Sequence, residues 1–433
     1  MAMRSPLRQA FVFILLLLGS IGQSTGVRAT EMEQDCAAKA SALPPVQPTV
    51  LRVALYPFVP DRLALFEKIE AIFECENPGV NVVLISTPNA TDNYYDDDDE
   101  KKKGIQFVDA DVYEIDTILL SDFVNLGKIA PIELPFDDLA PETVKAVTRN
   151  SNIYGVPHWL CGNFLFYRKS DTATANVVTW EDLVDTLGKH HGTLLIDFKG
   201  HSTLGEWYIT ALSAMIGMDA AQRQILNKQP VDPSAIAHLQ KILSACAVGY
   251  CRSQALHNNT GFYARAFVRG QARAYIGYSE TIYYGLRDAA DNCLPTSGCM
   301  AEDDIAVRAL PRFGANKAET GVGWVDALAI DAKLNGAKKD LAQQFIRRVV
   351  SEDIYIAMLG PEWPYRSRYL LPARTSVRIP DAPLYAQLFK AHADRGTGTA
   401  PRLNRALRDI AQTVNCALTM DRNDQDNAAC SKN

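Results

Sequence analysis

Three acidic residues stand where an α/β protein places its chemistry. Asp116 sits at the carboxyl end of the short strand expected over 111–115, Glu280 follows Ala274-Tyr275-Ile276-Gly277-Tyr278-Ser279, and Asp326 sits in an apolar run. Open α/β sheets bind ligands beyond the carboxyl ends of their strands, and there a carboxylate can hold a cation or move a proton. An acid in that place can equally be a solvated strand end or a helix cap, and position alone leaves both readings open. A thiol would add a nucleophile. The nine cysteines are Cys36, Cys75, Cys161, Cys246, Cys251, Cys293, Cys299, Cys416 and Cys430. An odd number leaves at least one unpaired in a monomer. The close pairs Cys246/Cys251 and Cys293/Cys299 can each close a short loop. Metal-site spacing is missing: there is no C-x-x-C, and none of the seven histidines pairs at i, i+4. The run Asp96-Asp97-Asp98-Asp99-Glu100 before Lys101-Lys102-Lys103 lacks the alternating ligands and turn glycine of a calcium loop. Residues 92–103 therefore read as a solvated loop.

The elements that must position these groups alternate between strand and helix. Val50 to Tyr56 reads as a buried strand, and Pro57 and Pro60 turn the chain. Asp61 is placed to cap a helix whose apolar face is Leu65, Phe66, Ile69, Ile72 and Phe73. Asn77-Pro78-Gly79 stops that helix, and Val80 to Ile85 is the next strand. This β-α-β opening predicts a parallel pair. Asp116 is placed to cap a helix over 117–126. Thr179-Trp180-Glu181-Asp182 has the spacing of a capping box. Strands are expected over 192–198, 274–278 and 305–310, with a helix carrying Ile236, Leu239, Ile242 and Leu243, and late helices over 338–350 and 352–359. With no internal repeat, the pattern predicts α/β architecture in two lobes.

Composition narrows the class. With 433 residues, 47% hydrophobic and 22% charged, the chain has ordinary globular usage and room for two or three domains. A net charge of −6 gives no basic surface for nucleic acid. Arg4 and Arg8 precede the apolar run Ala10 to Leu18, and Val27-Arg28-Ala29 offers small residues at −3 and −1. That is the plan of a secretory signal, and the apolar run is too short to span a bilayer. Cleavage after Ala29 removes three arginines and no acid, taking the charge from −6 to −9. A secreted, soluble protein without membrane attachment is expected, in a compartment that permits disulfides. Asn89-Ala90-Thr91 and Asn258-Asn259-Thr260 are glycosylation sequons in a eukaryotic host only.

The segment from Tyr154-Gly155-Val156-Pro157 to Tyr167-Arg168-Lys169, with the Thr179-Trp180 helix after it, resembles two-lobed periplasmic solute-binding proteins of the maltose-binding type. There this segment crosses from the first lobe to the second, and the strand around Asp326 resembles the crossing back. A closer resemblance is to the thiaminase I (thiamine pyridinylase) family. It rests on five blocks in the same order: Ala54 to Asp61, Asp111 to Val124, Pro157 to Asp171, Ala274 to Glu280, and Tyr369 to Arg374. The acidic–basic loop, the eight further cysteines and the tail after about residue 400 depart from the family pattern.

The resemblance implies a periplasmic-binding-protein-like (type II) fold with an interlobe cleft. Expected boundaries are a signal at 1–29, a leader at 30–49, a first lobe from 50–157 and 305–360, and a second from 158–304 and 361–433. It implies a cysteine nucleophile at Cys161, a glutamate base at Glu280, and a pyrimidine site of Tyr56, Asp116, Tyr263 and Asp326. The implied partners are thiamine and a nucleophilic amine or thiol cosubstrate, acting on a monomer without cofactor. A thiolate suits addition to an electron-poor ring carbon, and the departing thiazole is neutral, so it needs no metal to stabilise it. If Cys161 is the free thiol, the other eight cysteines can pair, with Cys416/Cys430 and Cys36/Cys75 joining the two local bridges. A non-catalytic solute receptor would share fold and cleft but would need no thiol beside carboxylates.

Overall fold

The computed structural model describes residues 48–85, 94–95, 104–188, 194–246, 249–294, 298–313, 322–361, 367–380, 382–394 and 403–419. The expected signal, the leader up to residue 47, the run 96–103 and Cys36 and Cys430 lie outside them.

The opening unit forms as its apolar pattern dictates. Strand β1 (Thr49–Ala54), helix α1 (Arg62–Glu76) and strand β2 (Val80–Ile85) follow one another, with β1 and β2 parallel. Leu65, Phe66, Ile69 and Phe73 are the buried face of α1. Asp61 occupies the N-cap position but does not cap. It adopts φ 48°, ψ 41°, and its side chain makes no cap bond. Its carboxylate is taken instead by Arg287, 2.8 Å away, and by the Tyr283 hydroxyl, both from a helix of the other lobe. Partners distant in sequence displace the local bond here.

Strand β3 (Val112–Asp116) lies parallel to β1. Strand β4 (Val156–Cys161) and strand β5 (Asn163–Arg168) are separated by Gly162 alone. Helix α2 (Trp180–Leu187) opens with the expected capping box, Thr179 Oγ1 accepting from Asp182 N and Asp182 from Thr179 N. Then come β6 (Leu194–Ile196), α3 (His201–Ile216), α4 (Pro233–Leu243), α5 (Phe262–Val268), β7 (Ala274–Tyr278) and α6 (Ile282–Asn292). Strands β8 (Ile305–Arg308) and β9 (Trp324–Ile330), helices α7 (Gly336–Val349) and α8 (Glu352–Leu359), strand β10 (Leu371–Pro372) and helix α9 (Asn404–Thr419) complete the named elements.

Two mixed sheets result. The larger runs β10-β4-β9-β3-β1-β2 and the smaller β8-β5-β7-β6. Within β4–Gly162–β5 the chain leaves one sheet and enters the other, inside the Tyr154 to Lys169 segment whose resemblance implies a crossing. Three memberships differ from the boundaries read from sequence: residues 158–161 stay in the larger sheet as the end of β4, and two later strands change sheets. Residues 305–308 join the smaller sheet, where β8 pairs antiparallel with β5. Leu371–Pro372 return to the larger one beside β4. Both strands are short edge strands, whose partner is set by where a connection lands and not by their own pattern. Helix α9 packs on α3, so the chain's tail belongs with the smaller sheet.

The two short disulfides form as expected, Cys246–Cys251 and Cys293–Cys299. Cys75 and Cys416 are disulfide-bonded as well, and the partners expected for them fall outside the described residues. Cys161 is the free cysteine among the described residues.

Candidate active site

The strand register builds the site. In the larger sheet β9 lies between β3 and β4, antiparallel to both. Asp326 faces Asp116 on β3, and Trp324 faces Cys161 on β4. A register shift follows Asp326 on the β4 side, a bulge of the kind that re-aims side chains. Asp326 therefore stands near the amino end of its strand, not the carboxyl end expected from sequence. Because β9 runs antiparallel, that end shares the sheet edge on which β3 and β4 finish. In the smaller sheet Glu280 follows β7 on a 3₁₀ turn that leads into α6.

These edges face one cavity of about 300 Å³, within the range of small-ligand sites. Tyr56, Asp116, Cys161, Trp324 and Asp326 line it from the larger-sheet side, and Glu206, Tyr278, Glu280 and Tyr284 from the other. A second concavity, of about 550 Å³, opens on the outside against α9 and holds no thiol. Five of the six residues singled out from sequence thus meet in the cleft. Tyr263 does not. It sits on the buried face of α5, and its hydroxyl donates to the Tyr250 carbonyl at 2.9 Å. On this side the aromatic lining comes from Tyr278 and Tyr284, which neighbour Glu280 in the chain.

Cys161 Sγ lies 3.5 Å from Asp326 Oδ2, the hydrogen bond of the thiol. Glu280 acts on the thiol through its charge. Burial pushes the Cys161 thiol well up, and the charges of Asp326, Glu280 and Asp116 push it further. At neutral pH the Cys161 thiol is therefore protonated. Alkylation of the unreduced protein at pH 7 should label Cys161 alone, at least ~10-fold more slowly than a small free thiol, because only thiolate reacts. Peptide mapping with a fast label on any other cysteine would contradict this arrangement.

The carboxyls are perturbed as a group. Burial raises Glu280 to about 7 and Asp116 to about 6, and raises Asp326 well above the usual carboxylate range. Asp116 is nevertheless well bonded: Oδ1 accepts from Ile118 N at 2.9 Å, the expected cap, and Oδ2 accepts from the Tyr95 hydroxyl at 2.9 Å. Glu114, fully buried two residues earlier, is raised to about 7 by burial. It accepts from Tyr56 N at 2.8 Å and from Trp159 Nε1 at 3.1 Å, fixing two neighbours of the cleft. Carboxyls whose pKa rises on folding bind more protons folded than unfolded, so they favour the fold less as pH climbs through 4–7. His158, kept neutral by burial, works the other way below about 6.5. Four raised carboxyls against one imidazole predict that the melting temperature of the empty protein falls between pH 5 and 8. A flat or rising profile in thermal scans would contradict the buried cluster.

An aromatic wall went unread in the sequence. Tyr94 and Tyr95 lie inside the segment taken as a solvated loop, yet Tyr94 is 1% exposed and donates to the Glu114 carbonyl oxygen at 3.1 Å. Tyr95 hydroxyl is 3.1 Å from that of Tyr56, and its ring stacks near Phe58 at 6.0 Å and 12°. From α9, Asn404 and Arg408 both donate to the Tyr95 carbonyl, at 2.9 and 2.6 Å. The tail thus holds a cleft residue in place. The pair Tyr94-Tyr95 directly before the acids was the available signal.

Two α/β lobes enclosing a ligand-sized cleft, with the chain crossing at its floor, define a solute-binding-protein class of fold. The chain belongs to the bacterial extracellular solute-binding proteins, a family that matches residues 72–388. It is 27% identical over 392 residues to Thiaminase-1 of Paenibacillus thiaminolyticus, covering 85% of this chain and 88% of that one. The resemblance to the thiaminase I family is borne out by that similarity. Among solved structures, Clostridium botulinum thiaminase I in complex with thiamin superposes with a TM-score of 0.69 at 23% identity, covering 86% of this chain and all of that one. A chitin oligosaccharide binding protein superposes at 0.64 with 18% identity, covering 86% and 94%. The two-lobed fold is thus shared with catalysts and receptors alike. Among the described residues no helix is long and apolar enough to cross a membrane.

Proposed function

We propose that this protein is a secreted thiamine pyridinylase. It cleaves thiamine by displacing the thiazole with an amine or thiol, through a covalent intermediate between Cys161 and the pyrimidine. The observation that carries this reading is the free Cys161 thiol held among Asp326, Asp116 and Glu280 in the cleft. The similarity to a protein named Thiaminase-1, over 85% of this chain, supports it. A receptor would have no use for a buried thiol in a ring of carboxyls, each of which costs stability to desolvate.

The chemistry follows from the charges. An acidic cleft attracts a cation, and thiamine carries a thiazolium. A bound cation offsets the field that holds the Cys161 thiol up, so the substrate itself promotes thiolate formation. Asp116 and Asp326 bond the ring nitrogen and exocyclic amine and favour a protonated, electron-accepting pyrimidine. Tyr56 and Tyr95 pack against the ring. Glu280, poised near neutrality, takes the thiol proton. The thiolate adds to the ring carbon, neutral thiazole leaves from the methylene, and the cosubstrate enters in a second step, which predicts ping-pong kinetics. Incubating the purified protein with thiamine and an amine, and measuring free thiazole by chromatography, tests the reading. Thiamine recovered intact from a correctly folded protein would point to the receptor.

A further inference from the structure

One buried carboxylate of the cleft is left unused by the scheme above. Glu206, on α3, is 3% exposed and lines the cavity on the Glu280 side. Asn163 Nδ2 donates to its Oε1 at 2.8 Å, and the Tyr278 hydroxyl donates to its Oε2. Asn163 opens β5 two residues after Cys161, and Tyr278 closes β7 two residues before Glu280. The two donors also stand opposite each other where β5 and β7 pair. A single side chain thus holds the chain two residues from the thiol and two residues from the base. Its helix is held in turn. A Cβ at Gly205 would fall 2.5 Å from the Leu407 carbonyl oxygen, so α3 meets the backbone of α9 directly. A carboxylate this deeply buried is costly unless hydrogen-bonded, and the two bonds offset that cost while ordering both strands.

The charge reaches the base as well. Burial raises Glu280, and the charge of Glu206 raises it further. The other titratable groups facing Glu280 are Cys161 and Asp326 from the larger sheet, Tyr275 and Tyr278 from β7, Tyr284 from α6 and Tyr385 from the helix Pro383–Asp394. Burial pushes every one of these above its ordinary value. The Asp197–His257 pair lines the same cavity.

We propose that Glu206 is a positioning residue for the first half-reaction, holding Cys161 and Glu280 at their working separation through Asn163 and Tyr278 while presenting its charge to Glu280. The inference rests on the thiamine pyridinylase reading and adds to it a group that works through two others. In that half-reaction the thiol proton passes to Glu280 and the bonding electron pair stays on sulfur. Glu206 neither takes nor gives a proton.

The test follows the full protein and three variants. It measures kcat/KM for thiamine with an amine from pH 5 to 9, and the burst of thiazole on rapid mixing with thiamine alone. E206Q keeps an oxygen for Asn163 and a nitrogen toward Tyr278 but removes the charge. Without that charge Glu280 gives up its proton at lower pH, so the rising limb should move down. The ratio of kcat/KM at pH 6 to that at pH 8 should grow at least ~2-fold, with the value at pH 8 within about fivefold of wild type. Y278F keeps the ring and the charge and removes one bond. It should lose ~10-fold at pH 8 with the limb where wild type has it. E206A removes both bonds and the charge, and should combine a moved limb with a ~10²-fold loss, the scale of a misplaced catalytic pair. The burst should slow in step with each loss, because the affected step precedes thiazole release. A wild type that releases no thiazole would overturn the pyridinylase reading itself, and the role of Glu206 with it. A normal wild-type burst beside E206Q and E206A profiles that superpose on wild type would overturn this proposal alone. A lowered melting temperature with rates and limb unchanged in the folded variants would do the same.

Discussion

Replacing Cys161 by serine should abolish thiazole release while the protein still binds thiamine. Serine keeps the volume and the bond to Asp326, but its hydroxyl is a far weaker nucleophile than a thiolate. Loss of a nucleophile that works within a catalytic unit costs orders of magnitude, here at least ~10³-fold. Calorimetric titration should give a thiamine affinity for C161S within about tenfold of wild type, because the aromatic wall and the carboxyls remain. Turnover above a hundredth of wild type in C161S would remove the covalent step. Lost binding with a normal melting temperature would instead make Cys161 a binding residue.

Glu280→Gln should lower kcat/KM by at least ~10²-fold and change the shape of the pH profile. Burial holds Glu280 at about 7 in the free protein. A base must be unprotonated, so wild-type kcat/KM should rise with pH through about 7 and then level. The glutamine cannot titrate, and that limb should vanish from what activity remains. Asp116, at about 6, titrates at lower pH and does not hide it. A small loss with the rising limb intact would move the base to another group, with Asp326 the first candidate because its oxygen already holds the thiol proton.

The parts of the fold governed by local rules were legible in the sequence. Apolar spacing placed α1, the capping box placed α2, and the β-α-β opening gave a parallel pair. The crossing was legible only through the resemblance of Tyr154 to Lys169 to two-lobed solute-binding proteins, which set the boundary at 157/158, whereas the chain changes sheets at Gly162. Features decided by contacts distant in sequence were not. Asp61 looks like a cap and instead holds Arg287 and Tyr283 across the cleft. Tyr94 and Tyr95 stand next to a charge run that dominates any reading of composition, yet burial of two rings beside Tyr56 outweighs that local polarity. Tyr263 and Tyr284 are both aromatic residues on helices, and helix orientation alone decides which ring reaches the cleft. Glu206 is separated from its donors Asn163 and Tyr278 by 43 and 72 positions, and the three carry no motif.

The covalent intermediate is the central claim, and intact-protein mass spectrometry tests it most directly. The protein is mixed with thiamine in the absence of any amine or thiol, quenched in acid after one burst, and digested. Wild type should carry the added pyrimidinylmethyl mass on the peptide containing Cys161, in amount equal to the thiazole released, and C161S should carry none. Thiazole released with no pyrimidine on the protein, or with the pyrimidine on another residue, would contradict the account.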